Sequence, residues 1–223
     1  VFVIALVLPI VALVGTNNLS TAIIILGIAV IVVFVSDKRY MQFVWIAAAG
    51  AGMMALFLGM ESYRLERIAI WKNPEAYEKG YQTIQGLYAI GSGGLFGRGF
   101  GESIQKLGFV PEAQNDMIFS IICEELGFVG ATILMLVFLV LIWRFMVIAV
   151  HAPDLFGSLI AAGAMGHIAI QVILNVAVVT NTIPNTGITL PFISYGGTSV
   201  LFLLSEMGLV LAVSRWQSEK KCI

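Results

Sequence analysis

Charge is what this sequence has least of. Only 11% of its 223 residues are charged, 59% are hydrophobic, and the mean hydropathy is +0.97. That balance excludes a water-soluble globular domain and reads as a multi-pass membrane protein. A formal net charge of −1 leaves no basic excess for nucleic acid, and no lysine-rich run argues for a purely peripheral membrane contact. Cysteine is nearly absent. Cys123 lies in an apolar run and Cys222 at the tail, which supports neither a disulfide framework nor a thiolate metal site. No window fits G-x-G-x-x-G and no GK[ST] is present, so a nucleotide cofactor has no motif to hold it. The chain begins at Val1 inside an apolar run, without a charged leader or cleavage site, and reads as a truncated piece, not a signal peptide.

Long apolar runs stand where charge is missing. At about 20 residues per crossing, the sequence predicts six spans near 1–14, 19–35, 41–60, 117–143, 154–180 and 194–214, an all-α transmembrane bundle. The connections SDKRY and WRFMVIAVHAPD and the tail SRWQSEKK hold Lys38, Arg39, Arg144, Arg215, Lys220 and Lys221, whereas GTNN and NTIPNTGITLPFI hold no lysine or arginine. The positive-inside rule puts the first set, and the C-terminal tail 215–223, in the cytoplasm. Residues 61–116 then form one large extracellular loop. A loop of this length in a compact protein is usually functional, and it is read as the site-bearing region. Its first part, ESYRLERIAIWKNPEAYEKGYQ, mixes aromatic and charged residues as an interfacial helix or cap does. Its second packs six glycines between Gly91 and Gly101, a pattern for a tight, closely approaching backbone.

Several polar groups need a reason. Arg64 and Arg67, three apart beyond a span end, either anchor a helix at headgroup level or form a guanidinium pair for a phosphate; Lys72, Lys79, Arg98 and Lys106 could join them. Asp116 opens the 117–143 helix, four residues after Glu112. It is either a cap that complements the helix dipole or a catalytic carboxylate. Glu124 and Glu125 follow about 12 Å deeper at 1.5 Å per residue. Ionisable groups in spans are costly and by default functional; pairing with Arg64, Arg67 or Lys106 to fix the loop is the structural alternative. His167, Gln171 and Asn175 recur every four residues and line one stripe that must face protein, as interhelical hydrogen-bonding groups do. Glu206, in FLLSEMGLVLAV, needs a partner or a proton. PNTGITLPFISYGGTS, with the hydroxyls of Ser194 and Tyr195, is either a re-entering hairpin or a cavity wall beside the loop.

Taken together, GYQTIQGLYAIGSGGLFGRGFGESIQKLGFVPEAQNDMIFSIICEELGFVGA, IQVILNVAVVTNTIPNTGITLPFISYGGTS, NNLSTA, RLERIAIWKNP and VSRW resemble the SEDS family (shape, elongation, division and sporulation). PNTGITLPFISYGG looks closer to its FtsW and SpoVE branch than to its RodA branch. The resemblance implies a ten-span fold of which these six are the last, in the cytoplasmic membrane of a bacterium. It implies an inverting peptidoglycan glycosyltransferase that polymerises lipid II at the outer face, with a class B penicillin-binding protein as partner transpeptidase and other division or sporulation membrane proteins nearby.

The family's essential aspartate falls on Asp116, as the candidate base. Where the family commonly reads P-E-x-[HQ]-T-D-F, Asn115 and Met117 replace the threonine and phenylalanine. Arg64, Arg67 and Lys106 become candidates for the pyrophosphate, with Glu112, Ser194 and Tyr195 beside the substrate and Glu124, Glu125, Gln171 and Asn175 in support. A divalent cation such as Mg²⁺ or Mn²⁺ could share the charge. A lipid-linked precursor flippase, favoured by Glu206 and the His167 stripe, and a non-catalytic divisome scaffold are the rival readings.

Overall fold

The computed structural model describes residues 2–36, 44, 48–50, 52 and 62–221, with side chains from 6–16, 18–36, 44, 48–50, 52 and 66–217. The span expected over 41–60 lies largely outside the described residues, as do the side chain of Arg64 and the connection holding Lys38 and Arg39. Every regular element described is helical: α1 (Phe2–Asn17), α2 (Leu19–Ser36), α3 (Ser62–Lys72), α4 (Tyr81–Gly93), α5 (Ile118–His151), α6 (Leu155–Val179) and α7 (Gly197–Lys221), with 3₁₀ turns at Pro74–Ala76 and Glu78–Gly80. Four helices among the described residues are long and apolar enough to cross a membrane: Leu19–Ser36, Ile118–His151, Leu155–Val179 and Gly197–Gln217. The protein is an integral membrane protein.

The expected spans shift where local chemistry dictates. Helix α5 runs eight residues past the expected 143, absorbing the stretch read as a connection. Between Trp143 and Pro153 no residue breaks a helix, and the residue ahead of a proline disfavours helical dihedrals. Asp154 then opens α6, its carboxylate accepting the Gly157 amide at 3.0 Å, a side-chain cap. Asn18 caps α2 through the Thr21 amide at 3.1 Å. Helix α7 continues through the tail to Lys221.

The chain divides into two compact units. The first comprises residues 1–60, 140–170 and 198–223, the second 61–139 and 171–197. In the first, glycine permits close helix approach: a Cβ on Gly27 of α2 or Gly166 of α6 would meet Ile170 or Ile31, respectively, at 2.5 Å, the small-residue packing that serves helices in lipid. Glu206 finds its partner here, His167, whose Nδ1 lies 2.9 Å from Oε2.

The second unit holds the non-spanning segment, folded into α3, α4 and a turn-rich stretch over 94–117. Its central device is a helix break. Gly127 interrupts α5 with φ 68° and ψ −170°, a conformation open to glycine. The glycine-rich loop is spliced into the gap. Amides of Arg98 and Gly99 donate to the carbonyls of Glu124 and Glu125 at 2.9 and 3.0 Å, and amides of Phe128 and Val129 donate to Gly94 and Leu95 at 2.9 and 3.0 Å. Both broken ends are therefore satisfied by backbone, which a helix end buried in protein requires.

Candidate functional site

Asp116 sits two residues ahead of α5 and is 8% exposed. Its backbone is held by a series of hydrogen bonds on successive carbonyls. The Tyr195 amide donates to Gln114 at 2.8 Å, the Ser194 hydroxyl to Asn115 at 2.7 Å, and the Asn175 side-chain amide to Asp116 at 2.7 Å. The same Asn175 amide reaches the carbonyl of Ile188 at 2.7 Å. Glu112 turns the chain into this position with φ 53°, a left-handed conformation rare outside glycine, and its carboxylate accepts from the Asn115 side chain.

The Asp116 carboxylate faces Gln82 of α4, whose side-chain amide lies 3.4 Å from both oxygens. The Gln82 carbonyl accepts from Asn185 Nδ2 at 3.2 Å, and the Asn185 backbone carbonyl accepts from Arg67 at 3.2 Å. These groups line a cleft of about 270 Å³ that also takes in Lys79, Thr83, Trp71, Asn181 and Gly187. Burial pushes the Asp116 carboxyl above its ordinary range and the charge of Glu112 adds to the rise, while hydrogen bonds from its own amide, Gln82 and the Met117 amide hold it back. A buried, basic carboxylate in a cleft with two cations nearby can take a proton and meet an anionic substrate.

The expected cationic cluster is distributed differently. Arg67 lines the Asp116 cleft, and Lys79, paired with Glu66 at 3.0 Å, joins it. Lys106 does not line it. Its ammonium is spent on Glu125 at 2.7 Å and on the Gly101 carbonyl at 2.5 Å, and with Glu112 it borders a second cleft of about 550 Å³. Ser194 and Tyr195 do not line the Asp116 cleft either. The Ser194 hydroxyl is used internally, donating to Asn115 and accepting from the Leu190 amide, and the Tyr195 ring is exposed.

Glu124 and Glu125 face the spliced loop. Glu124, 1% exposed, accepts from the Ser103 hydroxyl at 2.5 Å and the Gln105 amide at 3.3 Å, with Arg98 at 3.6 Å. Glu125 takes the Gly101 amide at 3.0 Å. Asn175 is fully buried, whereas Gln171, one turn earlier, makes none of the hydrogen bonds that hold Asp116. Gln82 and Asn185 escaped the sequence reading because an amide in a polar stretch carries no spacing signal until its partners are known.

Residues 1–219 match the FtsW, RodA and SpoVE family, described as Cell cycle protein. The chain belongs to that family. Within it, the chain is 47% identical over 202 residues to Stage V sporulation protein E of Bacillus subtilis, covering 89% of this chain and 55% of that protein. It is 41% identical to the probable peptidoglycan glycosyltransferase FtsW of Trichlorobacter lovleyi, over 88% of this chain and 52% of that one. Among solved structures, it is similar to a chain from a peptidoglycan synthase complex studied for its structural coordination of polymerization and crosslinking, at 31% identity and TM-score 0.76 over 95% of this chain and 60% of that one. It is also similar to the rod shape determining protein RodA of Thermus thermophilus, at 30% identity and TM-score 0.63 over 96% and 55%. The chain spans about half the length of the curated relatives it matches.

Proposed function

We propose that this FtsW/RodA/SpoVE-family chain carries the reaction site of a peptidoglycan glycosyltransferase that polymerises lipid II at the outer face of the cytoplasmic membrane. The carrying observation is the buried Asp116 carboxylate, aimed by Gln82 into a cleft that Arg67 and Lys79 also line. The names borne by its relatives support the reaction class. Residues 61–116 are the extracellular, site-bearing segment of the proposal, residues 1–60 and 117–214 supply the membrane helices, and the tail 215–223 is cytoplasmic.

In the proposed step, Asp116 takes the proton of an acceptor sugar hydroxyl as that oxygen bonds to the donor's anomeric carbon. The bond from that carbon to the pyrophosphate oxygen breaks, and the lipid pyrophosphate leaves with the electron pair, with inversion. General-base assistance contributes typically about 10²–10⁴-fold. Arg67 supplies fixed positive charge for the leaving group, with Lys79 as a second cation and Arg64 on the same helix. A divalent ion such as Mg²⁺ or Mn²⁺ would find one carboxylate and two side-chain amides here. No group of three or more His, Cys, Asp or Glu among the described residues could hold a metal by side chains alone, so an ion here would complete its shell with substrate phosphates and water and would add charge stabilisation for the leaving group. A class B penicillin-binding protein is the proposed partner, since polymer made at the outer face needs crosslinking there.

The test is glycan polymerisation from labelled lipid II by the intact protein with its transpeptidase partner, comparing wild type with Asp116→Asn. Loss of polymer, with folding and partner binding retained, is the expected result. Polymerisation by the variant at the wild-type rate would make Asp116 a helix cap and place the base elsewhere, whereas no polymer from the wild-type protein would favour the flippase and scaffold readings.

A further inference from the structure

Some of the largest exposed apolar side chains of the second unit crowd one loop tip. Leu95 is 64% exposed, Phe96 81% and Phe100 87%. Monomeric proteins seldom leave such a cluster to water, and where it occurs it marks a protein or membrane contact. The tip is also not floppy. Its backbone is fastened to α5 on both sides of Gly127 by the four splice hydrogen bonds, and a Cβ on Gly97 would collide with the Glu125 carbonyl. The single ionisable side chain within residues 95–101, Arg98, is drawn toward Glu124. The result is a rigid apolar finger; Arg98, 39% exposed, leans toward Glu124, and the exposed Glu102 flanks the tip beside Gly99.

The attachment point fixes the level of the finger along α5. Before the break, Phe119, Ser120, Ile121, Cys123 and Glu124 are buried in protein; after it, Phe128, Val129, Ile133, Leu136 and Val137 are exposed, as on a lipid-facing helix. From Phe128 to Trp143 the chain holds 16 residues without a charge, and Arg144 follows. At 1.5 Å per residue those residues cover about 24 Å, less than the roughly 30 Å of a hydrocarbon core. If Arg144 lies at one interface, the break and the tip bonded to it can be no farther out than the other. Aromatic side chains favour that depth.

We propose that Leu95, Phe96 and Phe100 form a lipid-contacting finger seated in the outer interfacial layer of the bilayer. The finger fixes the second unit to the membrane surface through the α5 splice. This assignment is independent of the reaction proposed for Asp116.

The test places one nitroxide at Phe96→Cys or Phe100→Cys in the intact protein, with Cys123→Ala and Cys222→Ser, reconstituted in phosphatidylcholine–phosphatidylglycerol vesicles. Leu136→Cys in mid-α5 serves as the lipid reference and Glu75→Cys as the aqueous one. The expected result is collision with oxygen several-fold above collision with a water-soluble nickel chelate, as at Leu136. Nickel access equal to that at Glu75 puts the finger in water, and exclusion of both reagents puts it under protein; either overturns the proposal. Phe96→Trp, which keeps an aromatic ring there, reads the same point in a folded background. Its added emission should be quenched by lipids brominated on their acyl chains, and unquenched emission counts against lipid contact.

Discussion

The side-chain amide of Gln82 lies 3.4 Å from both oxygens of Asp116, while its own carbonyl is held by Asn185. One amide thereby orients the carboxylate and lowers its proton affinity against the rise caused by burial. Because the Gln82 carbonyl is already engaged by a donor, the nitrogen is the end presented to Asp116.

Gln82→Ala removes a donor to a charged group, worth about 1.5–3 kcal/mol. Since that donor lowers the Asp116 pKa, its loss raises it. Glycan polymerisation should slow by about 10-fold or more, as such an energy implies, with the acid limb of the pH–rate profile moving to higher pH. A profile unchanged in position would show that Gln82 does not act through Asp116.

Glu112 acts in the opposite direction, its negative charge raising the Asp116 pKa. Glu112→Gln should move the acid limb to lower pH. The same sign governs stability. A carboxyl whose folded pKa exceeds its unfolded value binds more protons when folded, so stability falls as pH rises through that interval. Asp116→Asn, which keeps shape and removes the buried charge, should melt no lower than wild type at neutral pH while losing activity; a clearly lower melting temperature would count against this account.

Gly127→Ala puts a Cβ against the Gly97 amide and the Leu95 carbonyl at φ 68°. With ψ −170° this is a backbone region essentially confined to glycine, costing an L residue about 1–3 kcal/mol, and overpacking adds about 1–3 kcal/mol more. Thermal unfolding in detergent should show a large loss for this variant. Gly208→Ala in α7, where nothing lies within 4 Å of the added Cβ, should be neutral or slightly stabilising, since alanine favours helix over glycine. Equal behaviour of the two would sink the splice as a structural determinant.

His167 and Glu206 meet at 2.9 Å with part of each side chain exposed. Unfolding free energies of His167→Ala, Glu206→Ala and the double variant should be non-additive, with a coupling near 0.6 kcal/mol and below about 1.7 kcal/mol, as interhelical polar pairs in membranes give. Additive losses would mean that the two groups do not stabilise one another.

Membrane character was legible because hydropathy is a property of composition and run length, and lipid demands about 20 apolar residues whatever the neighbours are. The α2, α6 and α7 cores followed directly from those runs. The carboxylates at 116, 124 and 125 stood out for the same reason, as charge beside or within apolar sequence. Their division of labour did not. Arg98 and Glu124 are joined across 26 residues of sequence and Lys106 and Glu125 across 19, and only folding the glycine-rich loop into the break at Gly127 brings them together. Gln82 and Asn185 meet across 103 positions, a pairing set by where α4 and the 182–195 segment converge. Local sequence determined which segments enter a membrane and where a carboxylate stands at its edge. Tertiary structure alone decided which amide aims that carboxylate, which cations reach its cleft and which are spent holding the loop, because hydrogen-bond partners are fixed by distance in space and not along the chain.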